Sequence, residues 1–392
     1  MVLIAAFNWL IDPYGVFRAP VIDGVNRIKY GFNNHLRLAK AYALKISRPA
    51  TVILGSSRAE ASYDPAHPAF RQGPIYNLAI SGASMYELFR YLQHAEAVHP
   101  LKEVVVALDF YMFNSDWKPP ADFDENRLAV SASGKRNPYF AHEAFALLLS
   151  GDALSDSWWS LRHQSVPGVT YFANGLRDER FDIPGILAAG GHRRAFMANE
   201  EYFAGYGYSP RKRGYVVSDP RELRPAEWLR RLLAVCRDNG ASVHLVMNPV
   251  HTRQHQLIAD LGLRPQFEDW KRELVRIVGE DAAQHHTAPY ELRDFAVIDA
   301  ITAEEVPAPG DSQTRMRWYR ESSHFTKALG DRVLERVLTG SGAQESFGRL
   351  LTPKNIEAHL RDDGARMALW RESHAEDVAE VARAVRRSRA GS

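Results

Sequence analysis

The sequence predicts an α/β protein, a three-layer α/β/α sandwich around a parallel five-stranded sheet, and three observations lead there. Short runs rich in Val, Ile and Leu alternate with segments whose apolar residues recur at helical spacing. Those runs are apolar on both faces, as strands covered by helices on both sides must be. The chain has 392 residues, 45% hydrophobic and 24% charged, enough apolar material for a large core.

Met1 to Ile11 (MVLIAAFNWLI) carries no charge. A spanning helix needs about 20 apolar residues, so this run is too short to cross a bilayer, and it lacks the basic start of a signal peptide. It reads either as a buried helix or strand, or as the outer end of a membrane anchor that begins outside this chain, with Trp9 and Tyr14 at the interface. The polar turn Asp12-Pro13-Tyr14-Gly15 favours the anchor, and with it a periplasmic or other extracytoplasmic location. A helix over 34–47 then completes an N-terminal segment, 1–47, and is closed by Pro49.

The main α/β region is expected over 48–338. Its first strand, Thr51 to Leu54, ends in the small residues Gly55-Ser56-Ser57. The second, Ile75 to Ile80, is followed by Ser81-Gly82-Ala83-Ser84 and an amphipathic helix, Met85 to His99, with Ser84 as its N-cap. The third is Glu103 to Leu108. The fourth is Ser242 to Met247, after a helix from Ala226 to Asn239 capped by Gly240. The fifth is expected at Phe295 to Ile298, with the helix Phe325 to Leu338 after it. Between the third strand and the helix before the fourth lie about 115 residues, more than one crossover requires, so an insertion is placed at about 115–225. Its aromatic segments, Trp158-Trp159, Tyr171-Phe172 and the run from Tyr202 to Tyr208, suit either a subsidiary core or stacking on sugar rings. Residues 339–392 read as a polar helical extension, solvated and peripheral, with a basic end at Arg383 to Arg389.

Charge and cysteine content narrow the function classes. Lys plus Arg number 49 against 47 Asp plus Glu, so no global field attracts nucleic acid. The one cysteine, Cys236, can form neither an intrachain disulfide nor a cysteine metal cluster. Zero disulfides remains compatible with the periplasm, because a core of this size needs no staple. No cofactor is expected: neither GxGxxG nor GxxxxGK[ST] occurs, which argues against a nucleotide-binding domain.

In parallel α/β sheets ligands bind at the carboxyl ends of the strands. The first strand delivers Gly55-Ser56-Ser57-Arg58 there, a turn that can expose the Ser57 hydroxyl at a helix N-terminus whose N–H groups suit an oxyanion. Gly82 follows the second strand, and a glycine lets backbone approach substrate closely. Asp109, and Asn114 further on, follow the third. Asn248, His251 and His255 follow the fourth; the two histidines lack the Glu of HExxH and a third ligand, so they are read as lining the cleft or capping a helix rather than as a zinc site. Late in the chain, Glu321-Ser322-Ser323-His324 sets a carboxylate three residues before an imidazole, where it can hold the ring N–H and fix the tautomer that accepts a serine proton.

The order Gly-x-Ser after the first strand, Asn77-Leu78-x-x-x-Gly82 after the second, and acidic-x-x-His before the last helix resembles the SGNH (GDSL-like) hydrolase superfamily, whose fold is flavodoxin-like. With Asp12-Pro13-Tyr14-Gly15 and Gly55-Ser56-Ser57-Arg58, the likeness is to membrane-anchored bacterial forms similar to alginate- and teichoic-acid-modifying proteins, over residues 12 to about 338. That resemblance implies that Ser57 is the nucleophile, His324 its base and then acid, and Glu321 the group that orients His324. It implies backbone N–H groups of Ser57 and Gly82 in the oxyanion hole, with Arg58, Asp109, Asn248 and His251 as substrate-binding candidates. The sequence departs from the family in having Ser56 for the usual Asp, Glu321 for Asp, and no Gly-x-Asn-Asp block after the third strand. Either Asn114 turns in as the missing donor or the hole has backbone donors alone, with Asp109 repelling an oxyanion. The function implied is an acyl, most simply acetyl, esterase or O-acyltransferase acting on a cell-surface polysaccharide. The alternative is a catalytically idle protein of the same fold that binds glycan or docks to a membrane-bound acyltransferase.

Overall fold

Runs of β-branched residues pair into a six-stranded, mostly parallel sheet in the computed structural model, which describes residues 1–165, 170–208, 225–342 and 344–390. β1 (Thr51–Leu54), β2 (Ile75–Asn77), β3 (Glu103–Leu108), β4 (Ser242–Met247), β5 (Glu291–Asp294) and β6 (Arg349–Leu350) stand in the order β2-β1-β3-β4-β5-β6. The first five are parallel, and β6 joins antiparallel to β5. The sheet is therefore mixed, not the purely parallel five-stranded one expected: β6 is two residues long, too short to leave a pattern in the sequence. β2 ends early by its ladder, yet Leu78 and Ile80 still donate their N–H groups to Ile53 and Gly55.

The fifth strand lies four residues before its expected place. Phe295 N–H makes one more bond to Met247, and the chain then turns, because Asp294 is buried and accepts from Lys271, His359 and the Ala296 N–H. Burial alone would raise the Asp294 carboxyl; the Lys271 cation and His359 instead hold it down, at about 2. Apolar Phe295–Ile298 is thus a loop that fills the core, while the strand itself carries buried Arg293 and Asp294.

Fifteen helices are described. α1 (Val2–Ile11), α2 (Tyr30–Asn34) and α3 (Leu36–Ser47) precede the sheet; α4 (Ser57–Ser62) follows β1 and α5 (Met85–Val98) follows β2. Between β3 and β4 come α6 (Tyr139–Leu149), α7 (Gly151–Arg162), α8 (Asp182–Ala188), α9 (His192–Tyr202) and α10 (Pro225–Asn239). α11 (Thr252–Asp260) and α12 (Arg264–His285) lie between β4 and β5, α13 (Lys327–Thr339) between β5 and β6, and α14 (Ile356–Ser373) and α15 (Ala375–Ala390) after the sheet. The last part of the expected insertion, 209–224, lies outside the described residues. Alternate strand residues face opposite ways: Val52, Leu54, Val104 and Val106 pack with α5 and α10, while Ile53, Val105 and Val246 pack with α4 and α13. Ser84 caps α5 as expected and forms a capping box with Glu87.

Two peripheral expectations change. Among the described residues no helix is long and apolar enough to cross a membrane. Trp9 is exposed, but Tyr14 is buried, donating its hydroxyl to Asp156 at 2.7 Å, so it stands at no interface. The C-terminal extension is also not a solvated helix. Val381 and Val385 of α15 enter the core, and Asp377 and Glu380 bind the buried guanidinium groups of Arg193 and Arg253.

Candidate active site

Ser57 is the first residue of α4, at the carboxyl end of β1, and Ser56 caps that helix by accepting the Arg58 N–H. The turn before it is tight: a Cβ at Gly55 would lie 2.8 Å from the Ala107 methyl and 2.9 Å from that of Ala59. Glycine is therefore required where the strand passes into the helix. As the first residue of the helix, Ser57 has an N–H without an intrahelical acceptor, free to meet developing negative charge.

The histidine arrives on a narrow reversal of chain. Tyr319 and Phe325 form an antiparallel bridge, Arg320 N–H donates to His324 C=O, and Thr326 N–H donates to Trp318 C=O. Glu321 and His324 stand at its tip. Glu321 Oε1 bonds His324 Nδ1 and also accepts the His324 N–H, while Oε2 accepts the Ser323 N–H. Burial would raise the Glu321 carboxyl, but His324 and the Ser323 N–H hold it below the usual carboxylate range. The carboxylate accepts the Nδ1 proton, which leaves the Nε2 lone pair toward Ser57; Ser57 Oγ lies 2.7 Å from Nε2.

This loop and α4 are fastened together. Arg320 donates to Ser62 Oγ, Phe325 C=O and Asp182, and Ser62 Oγ donates to Phe325 C=O. α13 passes so close that a Cβ at Gly330 would sit 1.9 Å from Ser62 O. From the other side, Ser322 C=O accepts the His251 N–H, and the Ser322 hydroxyl accepts from Gln254.

Of the residues singled out from sequence, Ser57, Arg58, Gly82, Glu321 and His324 line one cleft of about 590 Å³. Gly82 has a φ of +67°, a conformation that glycine adopts without strain, and its carbonyl accepts from Trp117 Nε1 at 2.9 Å. Five candidates lie elsewhere. Asn114 is buried, its Oδ1 accepting the Asp116 N–H, and it is not among the residues that line the cleft. Asp109 is buried behind the nucleophile, where it accepts from Ser56 Oγ, Arg58 Nη1 and Asn248 Nδ2. Its charge is met by Arg58, whose cation is favoured by Asp109 against the cost of burial. It does not line the cleft. Asn248 is consumed by Asp109 and the Tyr63 hydroxyl. His251 caps α11 through Nδ1 and reaches the Glu304 carbonyl through Nε2, and His255 packs edge-on against Phe267; neither lines the cleft.

Sequence reading missed other residues that line the cleft: Tyr111, Trp117, Arg177, Asp182, Asn199 and Arg320. Arg320 abuts the Glu-x-x-His block and could have been inspected with it. Asn199, at the end of α9 in the insertion, belongs to no motif. Its Oδ1 accepts from Gln254 Nε2 at 2.9 Å and Ser322 Oγ at 3.0 Å, which fixes the amide with its nitrogen turned away from both donors.

The arrangement can perform nucleophilic acyl transfer. A hydroxyl, a base within hydrogen-bond reach and a carboxylate orienting that base share one cleft with a helix N-terminus. No protein-family model matches the sequence, and no curated protein matches it.

Proposed function

We propose that this protein is a serine-dependent acyl esterase or O-acyltransferase of the SGNH type, built as a three-layer α/β/α sandwich and acting on a cell-surface or extracellular polysaccharide. The observation that carries the reading is the unbroken chain Ser57 Oγ, His324 Nε2, His324 Nδ1, Glu321 Oε1 inside an open cleft. In this mechanism Ser57 Oγ attacks the acyl carbonyl and gives its proton to His324 Nε2. The Ser57 N–H and the backbone at Gly82 receive the oxyanion. His324 then returns the proton to the departing sugar oxygen, leaving an acyl-serine. Water resolves it in an esterase and a second sugar hydroxyl in a transferase, each activated by His324. The acyl group is most simply acetyl.

With Asn114 not lining the cleft, the hole rests on backbone donors unless a side chain from the insertion contributes. Loss of one side-chain donor costs about 10²–10³ in rate, which slows an enzyme without silencing it. The same observation favours a second reading, an idle glycan-binding protein or one that docks to a membrane-bound acyltransferase. Turnover of 4-nitrophenyl acetate decides between them. Ser57→Ala is expected to lower kcat by at least about 10³; equal turnover by wild type and variant would leave the idle reading standing. Adding oligosaccharide acceptors to the acyl-enzyme then separates hydrolysis from transfer.

A further inference from the structure

Three aromatic rings stand in a row at the cleft, Trp117 and Tyr202 lining it and Tyr206 between them. Trp117 lines it beside Gly82, Tyr206 lies 5.1 Å from Trp117 between ring centroids, and Tyr202 lies 5.6 Å from Tyr206. Rings that build a core are buried, as Phe203 and Tyr208 of the same run are; Tyr202 and Tyr206 keep 51% and 47% of their surface in solvent. They are nonetheless fixed. The Trp117 indole is tied to the Gly82 carbonyl and wedged edge-on by Tyr111, and the tyrosines sit at the junction of α9 with the π-helical turn Phe203–Gly207, a local form frequent at functional sites. The cleft is also lined by side chains that hydrogen-bond in pairs, Arg177 with Asp182, and by Asn199, about one helical turn before Tyr202 on α9.

The charges of this cleft cancel. Arg58 is paired with Asp109, Arg177 and Arg320 share Asp182, and Arg320 also has Glu179 at 4.0 Å, so each arginine of the wall already faces a carboxylate. A polyanion such as a uronate chain would meet no uncommitted cation there. Preorganised aromatic faces beside neutral, paired polar groups suit the apolar face and vicinal hydroxyls of an uncharged pyranose.

We infer that the row Trp117, Tyr206, Tyr202 is a subsite for a neutral hexopyranose unit, stacked next to the oxyanion loop so that an ester on its neighbour reaches Ser57. The inference rests on the proposed reading of the cleft as a polysaccharide acyl-transfer site, and the insertion thereby becomes the part of the chain that selects the substrate.

Its test is binding, measured in the inactive Ser57→Ala background by calorimetry and tryptophan fluorescence, with cellotetraose and chitotetraose as neutral probes and a mannuronate tetrasaccharide as the anionic one. At least one neutral tetrasaccharide binds at millimolar concentration or better, and tighter than the anionic one. Trp117→Ala and Tyr202→Ala each weaken it about tenfold, the loss expected for one stacked ring. Tyr202→Phe, which keeps the ring, restores most of the affinity, and Trp158→Ala, an exposed ring on α7, leaves it unchanged. Because Tyr202 is half in solvent, its truncation reports stacking even where Trp117→Ala disturbs the fold. Binding of the anionic probe alone, binding of none of the three, or equal affinity in Tyr202→Ala overturns the subsite. A failure of 4-nitrophenyl acetate turnover with sugar binding intact removes the enzyme reading and leaves the subsite in place.

Discussion

Asp109→Asn is the sharpest test of how the nucleophile is held. Asp109 sits behind Ser57, 2% exposed, and is the carboxylate that meets the Arg58 guanidinium, itself 2% exposed. Asparagine keeps the shape and can still bond Ser56 and Asn248, but it removes the charge. Among the described residues Arg58 Nη2 has no hydrogen-bond partner, so no second carboxylate is in place to meet the cation. Breaking one side of a buried ion pair costs about 3–5 kcal/mol. With an unfolding entropy of about 2.1 cal/mol/K per residue, the 392-residue chain gives about 0.8 kcal/mol/K, so Tm should fall by about 4–6 °C. Thermal unfolding followed by circular dichroism measures this directly. Adding Arg58→Met to Asp109→Asn removes the orphaned cation and should recover at least half the loss. A single variant within about 1 °C of wild type, or a double variant no more stable than the single, would refute the view of Asp109 as counterion.

Two further expectations concern His324 and the buried histidines. Glu321→Gln keeps the acceptor for the loop N–H groups but not the charge that steadies the imidazolium, so kcat with an activated ester should drop by about 10³–10⁴ with KM little changed; a loss under tenfold would argue against its role. His251 is held neutral, its pKa pushed by burial from 6.5 down to about 3. Its contribution to stability is therefore complete above pH 6.5 and lost as pH falls toward 3, because the unfolded chain takes up a proton that the folded one refuses. At about 1.4 kcal/mol per pH unit, the loss reaches about 2–3 kcal/mol by pH 4.5. His251→Asn retains a helix-capping side chain but cannot titrate, so its stability should decline less steeply between pH 6.5 and 4.5; parallel curves for variant and wild type would contradict this.

The strands with continuous β-branched runs, Thr51–Leu54, Glu103–Leu108 and Ser242–Met247, were legible because burial on both faces leaves a one-dimensional mark. The fifth strand was not, since Asp294 is buried through partners 23 and 65 residues away in sequence and Arg293 through carbonyls 48 and 55 residues away, which no local pattern reports. The triad was legible for the opposite reason: turn residues and short spacings carry it. The polar residues behind it misled. Asp109, Asn248 and His251 follow strands, as cleft residues do, yet each bonds inward to a neighbouring element. Asn199 and Trp117 escaped notice because the insertion that carries them is placed by contacts, not by periodicity.

The anchoring of α9 by α15 sets a sequence of events during synthesis. Arg253 and Arg193 are buried against Glu200, Asp377 and Glu380, and α9 carries Asn199 and Tyr202 into the cleft. A ribosome that has released β1 to β4 has already made Ser57, but Arg193 and Arg253 beneath α9 lack the carboxylates of Asp377 and Glu380 until residues near 380 emerge. The α9 side of the cleft thus waits for α15 to leave the ribosome, and a chain stalled before it would hold its serine in a half-built cleft.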